Sequence, residues 1–335
     1  MNSKEVITRA LEFRSPNRIP IICPSCGYTD VINIQLKPDK NWCPNLPKFE
    51  FINSKTPGNF IDEWGCIWTV TGKDNMGQVT GHPLVDFKYM KNYNFPNPYA
   101  PGRFEEIINN NNDDKYILFW IPFTLFERLY MLHGFDKTMV DLYLDRKNII
   151  QLLDIILNFN LEVIDQIGKN NLKIDGIGIT DDWGTGQSTF ISLNLWREIF
   201  KNKYKQIIDL SHKYGFHVWM HSDGKINEFI PDFIELGLDA INLPSPKVVG
   251  IKEIGLNFNG KICFFTGVDN QTTLISGSKK EIEDEAKLII KYWGSKKGGI
   301  IFYFDDDNWE ALGINSERKL TVFNILKKLE DYFNY

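Results

Sequence analysis

The stretch from Ile174 to Asp223 is the part of this chain that most restricts its fold. An apolar run, Ile174 to Thr180, ends in two carboxylates, Asp181 and Asp182. A helix-forming segment near 192–213 follows. A second apolar run, Phe216 to Met220, then ends in His221, Ser222, Asp223 and Gly224. Short apolar runs separated by helical periodicity are the pattern of βαβ units, whose strands lie parallel. The alternation extends in both directions. Strands are predicted at 116–121, 239–243, 261–267 and 298–304. Helices are predicted at about 123–133, 136–144, 146–169, 226–236, 247–257, 278–293 and 316–333. With the early run 18–23 this makes roughly seven or eight core strands, and the reading is an α/β chain forming a single (β/α)8 TIM-type barrel over 1–335. The rival is an open doubly wound sheet, which calls for a glycine-rich phosphate loop after an early strand; none is seen.

The N-terminal third is less regular. Residues 3–13 have the spacing of an amphipathic helix that starts near Ser3. Residues 24–60 are rich in Pro, Asn and Lys without sustained periodicity, and read as an irregular excursion from the barrel. Residues 62–70 and 77–87, with glycine between them, read as a β-hairpin or two short strands, 91–101 as a loop and 103–110 as a helix.

Composition narrows the function classes. The net charge of -5 argues against nucleic acid as the main partner, because phosphate binding needs a basic face. No apolar segment follows a basic start, so no signal peptide is expected. The longest apolar cluster, near 149–159, is interrupted by polar residues and falls short of the ~18 needed to span a bilayer. Five cysteines, an odd number, fit a reduced cytoplasmic setting.

In parallel α/β folds the C-terminal strand ends carry the ligands. The two βα units therefore bring Asp181, Asp182, His221 and Asp223 to one rim. Structural roles compete: Asp223 can cap a helix starting near Lys225, and Asp181 and Asp182 can shape the turn before Gly184. Asp305, Asp306 and Asp307 place three carboxylates together, which repel one another unless a cation is near. Gln187 can donate to a substrate oxygen or close its loop. His217 lies on the same strand face as His221 and reads as packed. Cys23 and Cys26 have zinc-knuckle spacing, but a ribbon needs a second such pair.

Several motifs, in order, resemble the uroporphyrinogen decarboxylase superfamily. They are DDWGT-x-Q at 181–187, IS-x-x-x-WREIFK-x-x-Y at 191–204, HSDG at 221–224, PDFIELGLDAIN at 231–242 and FTGVDNQTTLISGSKKEI at 265–282. The opening KEVITRALEFRSPNRIP at 4–20 is similar as well, and FTLFERLYMLHGF at 123–135 resembles the methyl-transferring branch. The resemblance implies one TIM barrel. True decarboxylases of the family carry an Arg-rich segment after the first strand to hold propionates. Here that stretch is CPSCGYTD, with no Arg between Arg18 and Arg103.

The methyl-transferring branch works with corrinoid proteins and holds zinc through a His-x-Cys pair and a later Cys. The matching positions are His221, Asp223 and the 305–307 segment, so the expected metal ligands are His221, Asp223 and Asp306. A His-carboxylate set is harder than a thiolate set and suits polarising an oxygen, such as that of a methoxy group. The expected catalytic residues are Asp182, which matches the family's DWGT element, with His221 and Gln187. Trp120, Phe123 and Trp183 are expected to sandwich a methoxyaromatic ring. The resulting expectation is a cytoplasmic methyltransferase that moves a methyl group between a small donor and a corrinoid carried by a partner protein, with zinc as Lewis acid; a homodimer is compatible with it. The alternatives are a decarboxylase anchored by Asp182 and His221, and a barrel that binds a tetrapyrrole or corrinoid without chemistry.

Overall fold

The computed structural model describes residues 1–50, 56–72, 77–110, 112–304 and 313–334. Its strands are β1 (Ile21–Cys23), β2 (Tyr28–Thr29), β3 (Val31–Gln35), β4 (Gly58–Ile61), β5 (Ile67–Val70), β6 (Gln78–Gly81), β7 (Tyr116–Ile121), β8 (Gly176–Thr180), β9 (His217–His221), β10 (Ala240–Asn242), β11 (Cys263–Thr266) and β12 (Ile300–Tyr303). The chain, read above as one domain, resolves into two compact units. The first comprises Met1–Ile34, Asn110–Trp120 and Lys173–Tyr335, and the second Gln35–Asn109 and Ile121–Leu172.

The first unit is the barrel. Its sheet has the order β2-β1-β12-β11-β10-β9-β8-β7-β3, with parallel registers from β8 through β12 to β1. The two ends of that order, β2 and β3, are consecutive stretches separated only by Asp30, and there the ring of strands joins. The Asp30 amide donates to the Ile21 carbonyl at 3.1 Å, and the Asp30 carbonyl accepts from the Tyr116 amide at 3.1 Å. The Asp30 carboxylate is fully buried, accepts from the Ile21 amide at 3.0 Å and takes two bonds from the Arg18 guanidinium, at 2.5 and 2.7 Å. These contacts place β2 and β3 inside the stretch 24–60.

Inward side chains fill the barrel in layers. Leu118, Trp219, Ala240, Cys263, Ile301, Ile22 and Val31 form one apolar cluster. The β8 glycines make room for their bulky neighbours. A Cβ on Gly178 would lie 2.4 Å from the Trp120 ring, and one on Gly176 would lie 2.5 Å from the Tyr116 hydroxyl. The helix Ser3–Leu11 closes the N-terminal end with Ile7, Ala10 and Leu11 in the same cluster. Asn2, one residue ahead of the expected start, caps it by accepting from the Glu5 amide. His217, on the first residue of β9, faces this end: its Nδ1 lies 3.0 Å from the Tyr116 hydroxyl and its Nε2 3.2 Å from Glu12.

The second unit has its own core. It contains the antiparallel sheet β4-β5-β6 and the helices Phe126–His133, Phe135–Leu144 and Arg146–Lys169. β5 lies within the expected 62–70 strand, and β6 within 77–87. β4 was missed, because Gly58–Ile61 is too short to show alternation.

Among the cysteines, Cys23 and Cys26 are neighbours with Cα atoms 5.4 Å apart, Cys66 and Cys263 are buried and Cys43 is exposed. No described helix is long and apolar enough to cross a membrane.

Candidate metal centre at the ends of two barrel strands

Two loops of the first unit build the site. β8 ends at Thr180 and β9 at His221, paired residues in the parallel register. The Asp181 amide donates to the His221 carbonyl at 3.1 Å, which carries the pairing one residue beyond β8. Successive side chains then diverge. Asp181 is fully buried and accepts from the Tyr204 hydroxyl at 2.6 Å. Asp182 is half-buried and stands at the mouth.

The loops that follow touch backbone to backbone. A Cβ on Gly224 would lie 2.2 Å from the Gly184 carbonyl carbon, and Gly224 sits at φ +84°, so only glycine fits there without strain. The Lys225 amide donates to the Thr185 carbonyl at 2.8 Å, and the Asp223 amide to Asp182 Oδ1 at 2.8 Å. Buried Ser222 accepts from the Trp183 amide at 3.1 Å. The two loops thus hold each other in one arrangement.

Asp182, His221 and Asp223 each offer a ligand atom, and these atoms lie within 4.8 Å of one another. His221 Nε2 is 3.6 Å from Asp182 Oδ1. The other ring nitrogen is tied down. His221 Nδ1 lies 2.5 Å from Asn242 Oδ1, while the Asn242 amide nitrogen donates to the Phe265 carbonyl at 2.7 Å. That second bond orients the amide so that its oxygen faces His221. Nδ1 therefore carries a proton, and Nε2 is the nitrogen that faces the carboxylates. A histidine whose second nitrogen is held by an outer partner is the usual arrangement at metal sites. Asn242, inward-facing on β10, was missed by sequence reasoning. The signal that could have found it is its place at the end of the barrel strand next to β9.

The remaining expected site residues are placed as follows. Trp120 is partly buried above the Leu118 layer and donates to Asn33 Oδ1 at 3.0 Å. Trp183 is fully buried among Trp196, Phe200, Tyr204 and Phe229 and donates to the Tyr204 hydroxyl at 2.9 Å. Its ring belongs to the core and does not face the cluster, because the Asp182-Trp183 step turns alternate side chains to opposite sides. Gln187 is exposed on a tight turn closed by the Thr185 amide and the Ser188 carbonyl at 2.8 Å. Phe123 lies in the second unit, at φ +57° beside Arg128 and Trp68. Asp306 lies outside the described residues. The cluster's third member is Asp182, which the sequence reading assigned to catalysis. Cys263 lies in the barrel core, where burial, and then Asp239, push its thiol up.

Comparison with known proteins follows this geometry. A solved structure of a methyltransferase from Methanosarcina mazei superposes with a TM-score of 0.61 at 14% identity, over 96% of this chain and 99% of that one. At that identity the match shows a shared TIM-barrel fold. A D-psicose 3-epimerase in the presence of D-fructose (TM-score 0.37, 10% identity, 72% of this chain and 86% of that one) and a dihydropteroate synthase from Coxiella burnetii (0.34, 17%, 52% and 62%) are too distant in shape to add to this. Curated protein sequences give no significant match. The model of the uroporphyrinogen decarboxylase (URO-D) family matches residues 120–304, which takes in β8, β9, β10 and all three residues of the cluster. More than half of the sequence is covered, and the chain belongs to the uroporphyrinogen decarboxylase family.

Proposed function

We propose that this protein is a methyltransferase in which Asp182, His221 and Asp223 hold a metal ion, with zinc the best fit. The observation that carries the reading is the His221–Asn242 contact within a three-ligand cluster. Three protein ligands with an open position form the pattern of catalytic zinc sites, and one imidazole with two carboxylates makes a hard donor set. When bound, the metal supplies Lewis-acid polarisation of a donor oxygen.

The chain's own residues prepare that step. Asn242 keeps the His221 proton on Nδ1. The Asp223 amide fixes Asp182 Oδ1, so a carboxylate oxygen is aimed before any ligand arrives. The Gly184–Gly224 contact locks both loops, so little reorganisation accompanies binding. Such a site suits a donor that loses its methyl group from oxygen, with the leaving oxygen keeping the bonding electron pair. We assign a corrinoid on a partner protein as the acceptor. The resemblance of 123–135 to the methyl-transferring branch supports that assignment. The test is to incubate the zinc-loaded protein with Co(I) cobalamin and anisole, and to follow methylcobalamin and phenol. Equal amounts of both products, lost in His221→Ala, support the reading.

The family's name favours a second reading, decarboxylation with Asp182 and His221 as polar anchors. Release of carbon dioxide from a porphyrinogen by metal-free protein would support it instead.

A further inference from the structure

The second unit contains a cavity of about 270 Å³. An engineered apolar cavity of about 150 Å³ accepts benzene, so this one has room for a substituted single ring. Its walls include Trp64, Phe123, Phe159 and Ile156. Two arginines line it as well, and they differ. Arg103 is saturated: it bonds the Asn97 and Lys37 carbonyls and both Glu63 oxygens. Arg128 is not. Its side chain is 7% exposed, and only Nη1 is engaged, with Asp62 at 2.7 Å and the Cys66 sulfur at 3.9 Å. Among the described residues, its Nε and Nη2 hydrogens have no acceptor.

The guanidinium is clamped in place. It lies 5.2 Å from the Trp64 ring and 5.3 Å from the Phe123 ring. Asp62 is itself held by the Cys66 amide at 2.9 Å and the Trp68 indole at 3.2 Å. Asn160, 3% exposed, gives its amide nitrogen to the Thr124 carbonyl at 2.6 Å. Its Oδ1 has no donor among the described residues. The cavity thus presents a fixed two-donor fork and one amide acceptor between aromatic walls. These groups open onto the cavity, where a ligand oxygen held between apolar walls gains a charge-assisted bond from the guanidinium.

Charge selects the ligand further. Lys37, Arg103 and Arg128 on the lining are matched by Glu50, Asp62 and Glu63. An anionic ligand would add an uncompensated charge; a neutral one would not. We propose that this cavity is a binding site for a neutral single-ring arene whose oxygen accepts from Arg128 and whose hydroxyl faces Asn160. Phenol is the simplest such molecule. The site stands on residues of the second unit alone and does not depend on the metal reading.

The experiment is a calorimetric titration of the full chain with phenol, cyclohexanol and benzoate. Phenol should bind saturably at one site, and more tightly than cyclohexanol, which is not planar, or benzoate, which is charged. Ile156→Trp fills the cavity from its wall and should abolish binding. Arg128→Lys keeps the charge beside Asp62 but removes the fork, and should weaken phenol about tenfold or more. Near-ultraviolet circular dichroism verifies that each variant is folded, and Ile156→Trp alone carries the test if Arg128→Lys is not. No saturable phenol binding, or binding unchanged in the folded variants, overturns the proposal. Benzoate binding tighter than phenol overturns the assignment of a neutral ligand.

Discussion

His221 Nδ1 lies 2.5 Å from Asn242 Oδ1, and this contact decides which ring nitrogen faces Asp182. Removing the partner should free the ring to rotate and to change tautomer. Asn242→Ala is expected to weaken zinc binding about 10- to 100-fold, the usual effect of losing an outer-shell partner. Asn242→Leu, which keeps the volume but offers His221 no acceptor, should weaken it to a similar degree. A competition titration with a chromophoric chelator measures both.

Gly224 and Gly184 meet with no space for a side chain. Gly224→Ala adds a methyl group 2.2 Å from backbone at a φ of +84° and must push the loops apart. Asp182 and Asp223 would then separate. Metal affinity should fall at least as far as in Asn242→Ala, while far-ultraviolet circular dichroism stays close to wild type, since no barrel strand is touched.

Arg18 and Asp30 hold the point where β2 passes into β3. Asp30→Ala leaves the half-buried Arg18 guanidinium and the Ile21 amide without their carboxylate, and should cost about 1.5–3 kcal/mol in denaturant unfolding. Burial opposes the Asp30 charge, but the Arg18 guanidinium and the Ile21 amide outweigh it and hold the carboxyl below its usual range. The sign follows. A depressed carboxylate contributes stability above the unfolded value of about 3.9, and loses it as pH falls through the lower folded value. Wild type should therefore lose stability in acid more steeply than the Asp30→Ala variant.

His212 and Asp239 act in the opposite sense. The Asp239 carboxylate, 2.8 Å away, raises the His212 pKa, and partial burial only partly offsets it. This contribution is complete below about pH 6.5 and fades as pH rises through the folded value. The pair is partly exposed, so the effect should stay below about 1 kcal/mol. His212→Gln should flatten the stability profile between pH 6 and 8, as read from unfolding midpoints.

Much of the barrel was legible because its strands are apolar runs cut off by turn residues. The run 116–121 coincides with β7, and 146–169 with the helix Arg146–Lys169. Asp182, His221 and Asp223 were legible because strand ends fix which side chains reach the rim. Closure at Asp30 was hidden, since β2 is two residues long and its partner Arg18 is set by tertiary contact. Asn242 was hidden because it lies inside the predicted strand 239–243, where nothing local marks one asparagine as a partner for His221. Trp183 misled because an aromatic beside rim carboxylates looks exposed, while the strand turned it inward. The second unit's cavity draws on six separate stretches of chain, and no local pattern joins them.

The most direct measurement is the metal content of the purified protein after zinc incubation and removal of free ion, for wild type and His221→Ala. The account predicts about one zinc per chain in wild type and almost none in the variant. Wild type without zinc, or a variant that retains it fully, would contradict the metal centre.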